Sequence, residues 1–498
     1  MNNEALQRVR TAGGPRRWVR ARRMMAVIRT DLKAAYARDL RKWLVIAPVI
    51  GVITGLVATG VVVVILQELW PAVMGCYLHY HWTIVPGLAL GFVVAGLIMQ
   101  FFTPDPNEHS TEEVIRVYHE RGGRMDVRSF VPKIAAAIAT VGFGGSAALE
   151  GPGIYGGGAI GSWLWAHLRR LRLDERDRRI TLICGAAAGM SAVFRAPLTG
   201  IVFALEMPYR DDLAHEALIP SLLASVTSFA TLGAFLGAAP LFDFKASAHF
   251  TRQDLCWSAL LGLLAGLAAM IFVLSFRHVR RFWVHWRAPH WLKMAIGGLL
   301  TGLCGLLFLH LYPGNLVPLG PNYEAVGTIL NHHHGSLELV GFGVLKLAAT
   351  LFSLGAGGVS AMFVPLFLSG GSFGIAFAQS IVHSATPDLF AAVGMAAFIA
   401  AGYKTPLAAV VFVAEATGGH AFIIPALIGA AVAYAVSGDA SASADQRLHE
   451  DADERALDAE KVQVENFEGG EIASHRTQLN QTQPTASVSS VTGIPTRE

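Results

Sequence analysis

The chain has 498 residues, of which 53% are hydrophobic and only 15% charged, with a net charge of +3 and a mean hydropathy of +0.46. Soluble domains carry about 25% charged residues, so the composition excludes an ordinary soluble globule and indicates a polytopic membrane protein. No nucleic-acid partner is expected; the bilayer is the first partner. Residues 1–42 hold twelve Lys or Arg, among them Arg16-Arg17 and Arg22-Arg23, against three acids, which puts the N-terminus in the cytoplasm by the positive-inside rule. Apolar stretches follow at 44–69, 85–102, 134–148, 180–205, 218–236, 255–276 and 294–311, then almost continuously over 339–436. A spanning helix needs about 20 residues, so ten or more membrane helices fit and an all-α fold is expected. Cys76, Cys184, Cys256 and Cys304 show no metal or redox spacing and read as packing thiols. From Gly438 to Glu498 the composition turns polar, which predicts a disordered cytoplasmic tail. Three segments result: a basic N-terminal segment 1–42, a transmembrane domain 43–437, and the tail 438–498.

Glu150 stands out within this domain. It sits in Gly144-Gly145-Ser146-Ala147-Ala148-Leu149-Glu150-Gly151-Pro152-Gly153, between two apolar stretches. A carboxylate at membrane depth costs roughly 2.5–3.5 kcal/mol on insertion scales, so it faces protein or water and does a job there. The glycines and proline predict a broken helix, which a bilayer tolerates only where the backbone is buried in protein or lines a cavity. A helix starting near Gly151-Pro152 would aim its N-terminal amides, an anion-attracting group, at the same place.

An internal repeat organises the domain. Aligned on Pro197 and Pro406, residues 185–206 and 394–415 share Gly185/Gly394, Phe203/Phe412 and Glu206/Glu415, and Arg195 matches Lys404 in charge. Pro152, Gly157 and Gly161 repeat as Pro365, Gly370 and Gly374, so that Glu150 corresponds to Phe363. The halves run over about 43–240 and 250–437. Duplicated, interrupted helices point to a transporter core with its site at the repeat interface. The equivalent positions of Glu206 and Glu415 suggest a shared structural role, such as ending a helix or bonding exposed backbone, with proton transfer by Glu206 as the minority reading.

In the order Glu150-Gly151-Pro152, Gly185–Glu206, Met362-Phe363-Val364-Pro365 and Thr405-Pro406-Leu407, the chain resembles the CLC family of chloride channels and chloride/proton antiporters. The resemblance covers most of residues 40–447. It implies a homodimer of inverted-repeat subunits with broken helices, each with its own pathway for chloride and, in antiporters, protons. It further implies that Glu150 is the external gate and that amides of Gly151, Met362 and Phe363 bind the anion. An inner membrane of a bacterium is the expected location. No cofactor or metal is expected.

Four departures from the family pattern stand out. Leu149 replaces the arginine before the gate. His109 falls where the family has a chloride-contacting serine, with Ser110 next to it; if it faces the pore, its ordinary pKa of about 6.5 would make anion binding pH-sensitive. The pore tyrosine near the end of the membrane core finds no counterpart beyond Ser443. The inner proton-transfer glutamate falls on Met207, directly after Glu206. These changes favour passive or weakly coupled chloride conduction, with chloride/proton antiport as the alternative. Arg195 and Lys404 could raise the potential near an anion vestibule or anchor the protein at the interface. His332-His333-His334 reads as an incidental loop. An intramembrane protease, suggested by Gly144-Gly145-Ser146 and His310, is a remote alternative, because Ala147 stands where such an enzyme has glycine and the repeat is left unexplained.

Overall fold

The computed structural model describes residues 41–168, 173–239, 250–321, 323, 334–384, 386–417 and 420–449. The first 40 residues of the basic segment, His332, His333 and the tail from residue 450 lie outside the described residues. The chain divides into two units, 1–446 and 447–498; of the second, only residues 447–449 are described.

The first unit is all-α. Its described residues form fifteen helices, and an isolated antiparallel bridge joins Ala148 to Ala361. In chain order the helices are α1 (Arg41–His79) and α2 (His81–Phe102), α3 (Ser110–Glu120), α4 (Phe130–Gly142), α5 (Glu150–Leu168), α6 (Glu175–Phe194), α7 (Pro197–Glu206) and α8 (His215–Leu236). The second half continues with α9 (Arg252–His285), α10 (His290–Leu311), α11 (Ser336–Gly355), α12 (Phe363–Phe377), α13 (Pro387–Tyr403), α14 (Pro406–Thr417) and α15 (Ile423–Val436).

Seven helices among the described residues are long and apolar enough to cross a membrane, and four more apolar ones have only 10–17 residues. The ten or more membrane helices expected from the sequence are thus a mixture of full spans and part-length helices among the described residues. The chain stops and restarts inside the apolar layer, and the sequence says where. α4 and α11 both end in the same glycine-stopped turn. Gly144 (φ +102°) and Gly357 (φ +107°) take a backbone conformation that L side chains rarely adopt. In the first half Gly144 N–H donates to Val141 O and Gly145 N–H to Thr140 O; in the second Gly357 N–H donates to Leu354 O and Gly358 N–H to Ser353 O. This pair of reverse bonds closes a helix end and satisfies its last carbonyls. Every partner in one turn lies 213 residues from its counterpart in the other.

The matched glycines also explain how the halves pack. A Cβ on Gly157 would lie 1.9 Å from Gly185 O, and one on Gly185 would lie 1.9 Å from Gly157 O; Gly370 and Gly394 stand at 2.3 and 2.1 Å in the same relation. Helices α5 and α6, and likewise α12 and α13, thus touch backbone to backbone, an approach only small residues permit. Arg195 (φ +52°) and Lys404 (φ +59°) hold equivalent left-handed turns just before the prolines that start α7 and α14.

Helix α12 lies deepest among the spans, with 78% of its apolar window buried against protein, while α1, α8 and α9 expose Leu56, Leu222 and Ile271 as lipid-facing helices do. Residues 438–446, read from sequence as the start of the tail, instead pack into the first unit. Ala442 N–H donates to Gly402 O, and the buried Gln446 amide donates to Met207 O and Tyr403 O, both at 3.0 Å. Polar side chains there serve exposed backbone carbonyls, which composition alone does not reveal.

Candidate functional site

The two interrupted segments meet head to head. Ala148 N–H donates to Ala361 O at 3.0 Å, and the Ser360 hydroxyl donates to Ala148 O. Ala148 and Ala361 are themselves repeat equivalents, so this antiparallel bridge joins the two halves at matching positions. Immediately after it, α5 and α12 begin, their first turns facing one another. Gly151 is required here: a Cβ would come within 2.7 Å of the Ser360 backbone. The first N–H groups of each helix have no intrahelical partner and carry the positive end of the helix dipole.

Glu150 is fully buried. Its Oε1 accepts from Phe363 N–H at 2.5 Å, whereas Oε2 makes no hydrogen bond. The neighbouring amide, Met362 N–H, donates to the Tyr403 hydroxyl at 2.9 Å. Both second-half amides expected to hold an anion are therefore engaged, one by a carboxylate and one by a phenol. The carboxylate sits where a small anion could sit.

Tyr403 supplies a phenol that the sequence reading did not name, at a position other than that of the family tyrosine, where Ser443 stands. Its hydroxyl comes from the end of α13, inside the repeat segment, where the first half has Phe194. It lines a small cavity of about 30 Å³ with His109, Ser110, Met362, Ser443 and the Glu112–Arg280 pair. The expected anion-contacting side chains are thus brought together around one void, roughly enough for a water-sized guest. Ser443 is held by a bond from its N–H to Ser441 Oγ at 3.2 Å. His109 Nδ1 lies 3.2 Å from Ser110 Oγ, and Ser110 itself adopts a left-handed φ of +63°. Burial, with the Arg280 and Lys133 cations nearby, holds the His109 imidazole well below its ordinary pKa.

Phe363 packs on the other side of the Glu150 carboxylate. Its ring meets those of Phe194, Phe203 and Phe412 at 5.2, 5.5 and 4.8 Å, and Phe203 and Phe412 are again repeat equivalents. This aromatic wall keeps water from that face of the carboxylate.

Met207 is buried and offers no titratable group. Glu206 is fully engaged: its oxygens accept from Leu407 N–H at 3.0 Å and Ala408 N–H at 2.7 Å, in the first turn of α14. Glu415 returns the favour at α7, accepting from Leu198 N–H at 2.9 Å and from Thr199 N–H and Oγ1, both at 2.7 Å. Lys404 does not line the cavity; its ammonium donates to Ser437 Oγ and Tyr434 O at the end of α15. Two residues escaped the sequence reading besides Tyr403. Glu112 and Arg280 pair at the cavity, 168 positions apart in the chain. No metal-binding group of His, Cys, Asp or Glu occurs among the described residues, where His334 pairs with Glu338.

The solved structures of similar fold include a CLC-type fluoride/proton antiporter, with a TM-score of 0.72 and 23% identity over 82% of this chain and 98% of that one. Another is a slow cyanobacterial Cl–/H+ antiporter, with a TM-score of 0.68 and 23% identity over 79% and 94%. An H(+)/Cl(–) exchange transporter ClcA from Yersinia pestis is 29% identical over 406 residues, 77% of this chain and 82% of the relative. Residues 91–438 match the family described as voltage gated chloride channel. That match spans most of the chain and both halves of the site, and the protein belongs to this family, the CLC family its sequence resembles.

Proposed function

We propose that the protein exchanges chloride for protons across a bacterial inner membrane, as a homodimer with one pathway per subunit and a cytoplasmic N-terminus. The observation that carries this reading is the Glu150 carboxylate on the Phe363 amide. An anion arriving at the helix ends must displace the carboxylate, and a carboxylate that takes up a proton loses its hold on the amide. Anion arrival and proton uptake are then alternative occupancies of one place. The name of the ClcA relative from Yersinia pestis, an H(+)/Cl(–) exchange transporter, supports coupled exchange over the passive conduction suggested by Met207.

Coupling requires an inner proton acceptor, and two candidates fall away: Met207 has no titratable group and Glu206 has both oxygens bonded. Glu112 is the carboxylate that shares the cavity with Tyr403, whose hydroxyl neighbours Glu150. A proton leaving Glu150 inward would pass the Tyr403 hydroxyl, or a water beside it, to Glu112. Arg280 holds Glu112 at that post.

The test is paired chloride and pH recording on proteoliposomes. An outward chloride gradient should drive uphill proton uptake in the wild type. Glu150→Gln should abolish proton movement and the pH dependence of chloride flux while chloride still passes. Glu112→Gln should cut proton movement by about tenfold or more, the order of a lost acid–base partner, with chloride flux retained. Chloride flux without proton movement in the wild type would return the passive reading; full coupling in Glu112→Gln would move the inner port elsewhere.

A further inference from the structure

Away from the pathway, the end of α2 and the segment 121–129 enclose an open cleft of about 860 Å³, lined by Phe101, Phe102, Arg121, Arg124 and Arg128 among others. Its two walls differ in chemistry. Phe101 and Phe102 are 70% and 68% exposed, and Val131, one turn beyond Arg128, is 69% exposed; on a spanning helix such side chains lie against acyl chains. The other wall carries three exposed guanidinium groups. Among the described residues Arg124 and Arg128 make no ion pair or side-chain hydrogen bond, while Asp126 between them is occupied, accepting from Arg128 N–H and the Ser129 hydroxyl. Arg121 is shared with Glu108, at 2.9 Å.

An apolar face meeting unpaired cations where a spanning helix ends has the two-part character of a phospholipid. Basic pockets at this level of a membrane protein take anionic headgroups, and guanidinium is suited to phosphate through paired N–H donors. We infer that this cleft binds an anionic phospholipid, its phosphate on Arg124 and Arg128 and its acyl chains along Phe101, Phe102 and Val131.

The site is wired to the pathway. Glu108 also accepts from Arg116 at 2.9 Å, and Arg116 pairs with Asp445 at 3.0 Å. Glu108 directly precedes His109, and Asp445 lies two residues beyond Ser443, both lining the central cavity. A headgroup phosphate on Arg124 and Arg128 also attracts Arg121, which lines the same cleft, loosens its hold on Glu108 and so acts on the loop that presents His109. Transport rate therefore depends on the anionic lipid fraction.

The experiment reconstitutes the full chain in nanodiscs and vesicles of phosphatidylcholine with graded phosphatidylglycerol. Bound lipid is counted by native mass spectrometry and chloride flux is measured in parallel. The wild type should retain phosphatidylglycerol over phosphatidylcholine, and Arg124→Gln/Arg128→Gln should weaken that retention by about tenfold or more. Arg124→Lys/Arg128→Lys, which keeps the charge, should restore most of it. The dependence of flux on phosphatidylglycerol should flatten in the Gln pair and persist in the Lys pair. Equal retention by wild type and Gln pair, with both unfolding at the same temperature, would overturn the proposal. So would displacement of the lipid by millimolar inorganic phosphate, which would mark a site for the free anion instead.

Discussion

The two halves of the molecule share a scaffold and differ in one position of consequence. Each stops a helix at a left-handed glycine, Gly144 or Gly357, and starts the next head-on to the other half. Each packs that next helix through glycines against backbone. At the start of the helix, however, the first half places Glu150 and the second places Phe363, and the acid of one accepts from the amide of the other. A second asymmetry lies close by: Phe194 in the first half corresponds to Tyr403 in the second, which supplies the hydroxyl on Met362 N–H. Symmetry builds the meeting point of two helix dipoles; broken symmetry gives it an acid on one side and the backbone amide that binds it on the other. A fully symmetric pair would have either two acids repelling each other or none.

If the scaffold is symmetric, damage to it should be symmetric too. The largest expected effect comes from Gly157→Ala and Gly370→Ala. Each pushes a methyl into a carbonyl oxygen, at 1.9 Å from Gly185 O and 2.3 Å from Gly394 O, so each should destabilise by about 3 kcal/mol or more, the first more than the second. Folded yield and thermal unfolding in detergent check this, and tolerance of Gly157→Ala would break the comparison at its base. Next come Glu206→Gln and Glu415→Gln, which each weaken a carboxylate bond to an exposed helix start. Each should cost about 1–2 kcal/mol, and the two losses should agree within about 0.5 kcal/mol. A much larger loss for Glu206, or proton transport abolished by that change alone, would reveal a functional asymmetry hidden in a structural pair. The smallest effect is expected at Ser110. Its left-handed backbone costs a non-glycine residue about 1–2 kcal/mol, offset in part by the greater freedom of an unfolded glycine. Ser110→Gly should therefore raise stability by roughly 0.5 kcal/mol, read as a small upward shift in unfolding temperature.

The scaffold was legible because glycine, proline and charge in an apolar chain have few explanations. Glu150, the paired glycines and the Pro197/Pro406 register were all visible in the sequence, as was the backbone-bonding role suggested by the equivalence of Glu206 and Glu415. Tyr403 was hidden because it stands in a matched apolar segment where an aromatic residue already satisfies the pattern. The one clue was that its repeat partner, Phe194, lacks the hydroxyl. Glu112 and Arg280 could not be paired from sequence, since nothing local links α3 to α9. Residues 438–446 looked like tail because their polar side chains bond to backbone carbonyls of the core rather than to water, and composition does not distinguish the two.

The exchanged carboxylates of Glu206 and Glu415 bear on how the protein is made. The first turn of α7 accepts its acid from a residue 217 positions downstream of Leu198. At about 5–20 residues per second, that partner is synthesised roughly 10–40 s later. Through that interval the first half must rest in the bilayer with one helix start unclasped, and it acquires its final form only when the end of the second half arrives. A chain cut between the halves should therefore work only when both pieces are produced in the same cell, each completing a helix that belongs to the other.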